Sequence, residues 1–221
     1  MIAKELISDD VPEISPSDNG QKASTLMDEF RMTHLPVING QNQLVGMLSE
    51  TALFDVDDWD APVESYKSTL VDFSVKENDH IFTVIKQMGE SNSSCIAVVS
   101  EKQQFIGSIS IYHLMKIISQ LALFQDHGGI LELEMNIIDY SLSEIANIVE
   151  SNNAKILGMY IRNHPDSRKI HVALKINKSD LSAVVQTFER YEYTIAARFY
   201  QNNENDDLQN RYENLMNYLN I

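Results

Sequence analysis

Leu44-Val45-Gly46-Met47-Leu48-Ser49 and Phe105-Ile106-Gly107-Ser108-Ile109-Ser110 share one pattern: apolar residues around a single glycine, then a serine. An offset of 61 residues carries Gly46 onto Gly107. The same offset relates Ile14 to Val75, Asp18 to Asp79, Met27 to Met88 and Leu53 to Leu114. It also lays Leu35-Pro36-Val37-Ile38 on Ile96-Ala97-Val98-Val99. Each match is weak alone. One ungapped register across most of the unit is informative, and an internal repeat constrains architecture before any single element does.

Each copy reads the same way physically. A helix is expected at about 18–31 and again at 79–90, with Ala23, Leu26, Met27 and Phe30, then Val84, Ile85 and Met88, at helical spacing. Ser17 or Asp18 is the expected cap of the first, and Asn78 or Asp79 of the second. Strands are expected at 35–38 and 95–99. Polar turns follow, with Asn39-Gly40 suited to positive φ. Second strands are expected at 44–48 and 105–109, and helices start near Ser49 and Ser110.

This pattern resembles a cystathionine-β-synthase (CBS) domain present twice, over about residues 1–124. The resemblance implies an α/β body with two clefts related by pseudo-twofold symmetry, adenosine-nucleotide binding and dimerisation. Members that bind nucleotide carry Gly-x-x-Ser/Thr-x-x-Asp, with the hydroxyl near phosphate or ribose and the carboxylate on the ribose hydroxyls. Here the stretches run from Gly46 through Ser49 to Ala52 and from Gly107 through Ser110 to His113. Both serines are kept and both aspartates are replaced. Ala52 accepts nothing, whereas His113 can bond ribose or phosphate, so the second cleft is the better candidate. The resemblance places Leu35, Pro36, Ile96 and Ala97 along the clefts beside Ser49, Ser110 and His113. Ser49 and Ser110 also read as helix N-caps, which need no ligand. No motif indicates a cofactor; an adenosine nucleotide is what the resemblance allows.

From Ile111 to Phe124 the apolar residues form a wide helical stripe, read either as a cap on the repeat's own core or as a dimer face. Gln125-Asp126-His127-Gly128-Gly129 breaks it and reads as a linker. Then Leu131, Leu133, Met135 and Ile137 alternate with polar residues as in a strand with one wet face. A helix opening at Ser141, a strand at 155–162, a turn at 163–167, a strand with Ile170, Val172, Leu174 and Ile176 inward, a helix capped by Ser179 or Asp180, and a strand at 193–200 complete a βαββαβ, ferredoxin-like order. Length and order resemble an ACT domain. Asp139-Tyr140-Ser141-Leu142 keeps the aspartate of that family's Asp-x-Pro-Gly turn and lacks the proline and glycine. A CBS pair followed by an ACT-like domain is similar to CBS regulators of the acetoin-utilisation type. The expected organisation is 1–63 and 64–126 for the repeats, 127–201 for the ACT-like domain and 202–221 for a terminal helix. In that helix Leu208, Tyr212, Leu215 and Leu219 form a short seam, against its own domain or a second subunit.

The balance of 43 % hydrophobic and 22 % charged residues is that of a globular chain with a core to bury. A formal charge of −15 with no basic run argues against nucleic acid and against anionic membranes. No apolar stretch has the length of a signal peptide or membrane span, so the expected location is cytoplasmic. The single Cys95 sits in an apolar strand and reads as a buried, inert thiol. His34, His80, His113, His127, His164 and His171 fall in separate elements, and no nucleophile or phosphate-loop motif appears. The expectation is a non-catalytic regulator that pairs with a second copy, responds to a small-molecule effector and acts on a downstream protein the sequence does not name. The alternative is a ligand-free dimeric scaffold.

Overall fold

The computed structural model describes residues 1–164 and 168–199. The chain divides into two compact units, Met1–Ser119 and a second beginning at Gln120. In the first, α1 (Gly20–Phe30) leads into the antiparallel pair β1 (His34–Ile38) and β2 (Leu44–Ser49), and α2 (Glu50–Phe54) follows directly. The second copy repeats this with α3 (Ile81–Ser91), β4 (Cys95–Val99), β5 (Phe105–Ser110) and α4 (Ile111–Ile118). A short β3 (Ser74–Lys76) runs parallel to β4. Its counterpart in copy one is a single parallel bridge from Ile14 to Val37.

The repeat extends to backbone conformation. Positive φ occurs at Arg31 and Asn92, at Asn42 and Gln103, and at Gly46 and Gly107, each pair 61 residues apart. The β-bulges fall at the same place, Val37/Ile38 and Val98/Val99. Where equivalent residues meet, they bond each other. Thr33 N donates to Ser94 Oγ at 2.8 Å and Ser94 N donates to Thr33 Oγ1 at 3.1 Å. Gln43 bridges Gln104, and Cys95 Sγ donates to the His34 carbonyl at 3.1 Å. The hydrophobic cores interlock as well. Cys95 and Ala97 of copy two lie in one cluster with Leu35, Val37, Met47 and Leu48 of copy one. Leu35, Val37, Met47 and Leu48 each contribute about 1.5–3 kcal/mol by leaving water, and the smaller Cys95 and Ala97 less.

The helix caps lie one residue later than expected. Asn19 accepts from Lys22 N at 3.0 Å, and His80 Nδ1 accepts from Phe82 N at 3.3 Å. Asp18 and Asp79 instead close the preceding turns, accepting from Ser15 N and Lys76 N at 2.8 Å each. The expected long helix over 111–124 is broken. Ser119 caps α4, its hydroxyl bonding back to the Lys116 carbonyl, which competes with helix continuation. Leu121 is extended, and α5 (Ala122–Gln125) restarts the helix.

The second unit has the order β6 (Gly129–Asn136), α6 (Leu142–Ser151), β7 (Ile156–Asn163), β8 (Lys169–Ile176), α7 (Ser182–Arg190), β9 (Thr194–Phe199). Its sheet is fully antiparallel, in the order β7-β8-β6-β9. Leu131, Leu133, Val172 and Leu174 pack under Ile145, Val149, Val184 and Phe188 of the two helices. Two expectations fail here. Ile137 is not a strand residue: Ile137–Asp139 forms a 3-10 turn that exposes Ile137 and Ile138. Ala173 and Lys175 are also buried, although they face away from that core. Gly158 is the register partner of Lys175, and a Cβ built on it would stand 2.9 Å from Leu123, so α5 lies over this end of the sheet. The Lys175 ammonium donates to the Gly128 carbonyl at 3.1 Å. The stretch at 125–129, read as a linker, supplies the end of α5 and the start of β6. Ser141 caps α6, whereas Asp180 bonds Ser182 N at 2.9 Å without being the cap residue of α7. The seam of Leu208, Tyr212, Leu215 and Leu219 lies outside the described residues, as does part of the turn at 163–167.

Three outcomes follow from this geometry. Gly46 and Gly107 have φ of 156° and 158°, and an added Cβ would stand 2.8 Å from Leu70 and 2.6 Å from Ile7. Gly46→Ala and Gly107→Ala should each lower unfolding free energy in urea by about 1–3 kcal/mol. Gly89, exposed within α3 with nothing near its Cβ position, should behave oppositely, Gly89→Ala adding roughly 0.5–1 kcal/mol. Burial pushes the Cys95 thiol up to about 12. A thiolate-specific reagent at pH 8 should therefore label the protein only after denaturant is added.

Candidate functional site

The hairpins place Ser49 and Ser110 at equivalent strand-to-helix turns. Ser49 ends β2 and caps α2, its Oγ accepting from Ala52 N at 3.0 Å and lying 3.1 Å from Thr51 Oγ1. Ser110 ends β5 and caps α4, its Oγ accepting from His113 N at 3.1 Å. The cap reading of both serines is therefore correct; capping uses an oxygen lone pair and leaves the hydroxyl proton for a further partner. Glu50 N, the first helical donor of α2, bonds the Thr33 carbonyl, and Ile111 N bonds that of Ser94, both at 2.8 Å. The contact between Thr33 and Ser94 therefore also positions both helix starts.

A pocket of about 360 Å³ opens beside Ser49, lined by Thr33, His34, Glu50, Thr51, Val71 and residues of the α3 terminus. His34 is half-buried, bonds Thr33 Oγ1 at 3.0 Å and meets the Phe73 ring edge-on at 5.5 Å. Burial lowers its pKa, which favours the neutral imidazole. Thr51, exposed at the start of α2, adds a hydroxyl where the chain has lost the motif carboxylate to Ala52. The strand residues serve differently. Leu35, Pro36, Ile96 and Ala97 are buried, and Leu35, Ala97 and Ile96 have their side chains in core clusters. What they can offer a cleft is backbone.

The second turn holds a group that the motif does not announce. Ser110 is fully buried, and its Oγ donates to Asp10 Oδ2 at 2.7 Å. Ser8, from the same N-terminal segment, accepts from Ser110 N at 3.2 Å and pairs its own N–H with the Ser108 carbonyl. Partial burial raises the Asp10 carboxyl, but hydrogen bonding from Ser8 and Ser110 and the nearby His113 outweigh it and hold the group below its ordinary value. His113 is half-buried beside this carboxylate. Asp10 escaped sequence reasoning because its partner is 100 residues away and no periodicity links them.

In the second unit a pocket of about 310 Å³ lies where β6, α6 and β9 converge, lined by Glu134, Asp139, Glu144, Glu192 and Tyr193 among others. Tyr193 donates to Glu144 Oε2 at 3.0 Å. Burial, that bond and the charges of Glu144 and Asp139 push the phenol up to about 12. Glu134 is held low chiefly by the Lys169 hydrogen bond, which outweighs desolvation and is helped by the charges around it. Asp139 accepts from Asn136 Nδ2 at 2.9 Å. Four carboxylates around one pocket disfavour a ligand carboxylate there. Among the described residues no cluster of histidine, cysteine and acids is arranged to hold a metal, and no helix is long and apolar enough to cross a membrane.

Residues 3–57 and 67–120 match the CBS domain family. A homoserine O-acetyltransferase of Methanococcus vannielii is 26 % identical over 125 residues, which cover 53 % of this chain and 25 % of that protein. The chain thus spans about a quarter of the length of this curated relative. Among solved structures, a CBS domain pair/ACT domain protein from Thermotoga maritima is 23 % identical with a TM-score of 0.48, covering 53 % of this chain and 96 % of its own. The CBS domains of a transcriptional regulator from Streptococcus pneumoniae give 18 % identity and a TM-score of 0.46 over 52 % of this chain and 98 % of theirs. CBSX2 in complex with AMP gives 19 % and 0.46 over 54 % and 96 %. The two matched segments coincide with the two structural repeats, and the N-terminal unit of this chain is a tandem pair of CBS domains.

Proposed function

We propose that this protein is a non-catalytic, ligand-sensing regulator in which a small adenosine-like or anionic molecule occupies a CBS cleft and biases the arrangement of a homodimer. The observation that carries this reading is the pocket of about 360 Å³ at Ser49, where a capping hydroxyl, the Thr51 hydroxyl and the His34 imidazole line one opening. A ligand there acts only through differential affinity for the two arrangements. The expected site residues Leu35, Pro36, Ser49, Ile96, Ala97, Ser110 and His113 belong to this reading, the strand residues through their backbone.

The proposed boundaries are 1–63 and 64–126 for the repeats, 127–201 for an ACT-like domain and 202–221 for the terminal segment. The βαββαβ order and the β7-β8-β6-β9 sheet order support a ferredoxin-like, ACT-like plan. Its acid-lined pocket disfavours capture of an amino-acid carboxylate. The homodimer reading rests on Phe54 and Met115, equivalent positions on α2 and α4 that are 65 % and 55 % exposed. Tyr112 and Phe82 are exposed as well. The location proposed is cytoplasmic. No catalytic step is assigned to any residue.

Thermal unfolding with AMP, ATP, S-adenosylmethionine and amino acids tests the sensor reading. One adenosine compound at a hundred times its dissociation constant should add about 2.7 kcal/mol of stability. Val71→Trp, filling the Ser49 pocket, should remove that gain. If no compound shifts the melt, the scaffold reading takes its place. Light scattering tests pairing: the native chain should run as a dimer and the double variant Phe54→Asp, Met115→Asp as a folded monomer.

A further inference from the structure

We infer that Asp10 is a specificity-determining residue that closes the second CBS cleft to phosphate-bearing ligands and leaves it open to ligands that donate hydrogen bonds. The inference rests on the reading of the two serine turns as ligand clefts.

A serine hydroxyl has one proton to donate. At Ser110 the Oγ already accepts from His113 N, and its proton goes to Asp10 Oδ2 at 2.7 Å. A fully ionised phosphate monoester can only accept, so it finds no donor in this hydroxyl while Asp10 holds it. It would also bring a second negative charge beside an ionised carboxylate, an arrangement that costs affinity. A ribose hydroxyl or an ammonium group donates and can share the carboxylate's remaining lone pairs.

Ser49 is different. Among the described residues its Oγ has Ala52 N and the Thr51 hydroxyl as partners and no carboxylate. The difference arises in the segments that cross the two hairpins. Gly46 is met by Leu70 and Gly107 by Ile7, residues 63 apart, and the bridges Met47 to Val71 and Ser8 to Ser108 keep that spacing. By Ile14 and Val75, which bridge and pair with Val37 and Val98, the spacing is back to 61. The N-terminal segment therefore contains two extra residues between fixed points. Asp10 lies in that excess, where it can turn back onto Ser110.

Methyl phosphate at pH 8, a dianion with no proton to donate, is the deciding probe, titrated at constant ionic strength into the full chain while the Ile111 and His113 amide resonances are followed. In the native protein these amides should stay still. In Asp10→Ala they should titrate, with an apparent affinity at least roughly tenfold higher than native. Asp10→Asn, which removes the charge and keeps the shape, should fall between. Equal responses in native and Asp10→Ala, or no response in either, overturn the assignment. Adenosine and AMP separate this from the sensor reading. If neither compound moves any resonance but methyl phosphate still discriminates the variants, the adenosine reading fails and the role of Asp10 stands.

Discussion

Thr33 and Ser94 hold the N-terminal unit in register with itself. They occupy the same position of the two repeats and exchange hydrogen bonds, each backbone N–H to the other's hydroxyl, at 2.8 and 3.1 Å. Two equivalent residues can do this only close to a pseudo-twofold axis. Their carbonyls then take the first N–H of α2 and of α4. The axis, the helix starts and the two capped serines are therefore one connected object. Cys95 against the His34 carbonyl and Gln43 against Gln104 extend the same seam. The shared core of Leu35, Met47, Leu48, Cys95 and Ala97 packs beneath this seam, whose Thr33 and Gln43 remain exposed.

That constraint explains what was legible in the chain. A repeat packed about an axis must keep its length between contacts on the axis, so the offset of 61 survives although few identities do. The glycines survive because Leu70 and Ile7 cross directly over them and a side chain would collide. In the second unit the alternation of Leu131, Leu133 and of Ile170, Val172, Leu174 reflects one buried sheet face, and it locates the strands correctly.

The rest was hidden for identifiable reasons. Asp18 and Asp79 look like caps because an N-cap and a turn-closing aspartate have the same composition; only the bonds to Ser15 N and Lys76 N tell them apart. The apolar stripe from Ile111 to Phe124 keeps its helical period through Ser119, where the backbone does not. α5 lies near Lys175 at one end of the second sheet face, a tertiary fact with no local signal. At the candidate site the two serines could be read from the motif. The pocket around Ser49 could not, because Val71 and Ser91 reach it from other elements.

Duplication alone would give two clefts with one chemistry, since the repeated turns carry the same serine and the same cap geometry. The segments that cross the hairpins are not bound by the axis in the same way. One is the linker between the repeats and the other precedes the first repeat, so their lengths are free to differ. A difference of two residues is enough to move a carboxylate onto Ser110 while Ser49 keeps only its neighbours in α2. The repeat supplies the frame, and the unrepeated N-terminal segment sets the partner of the second serine.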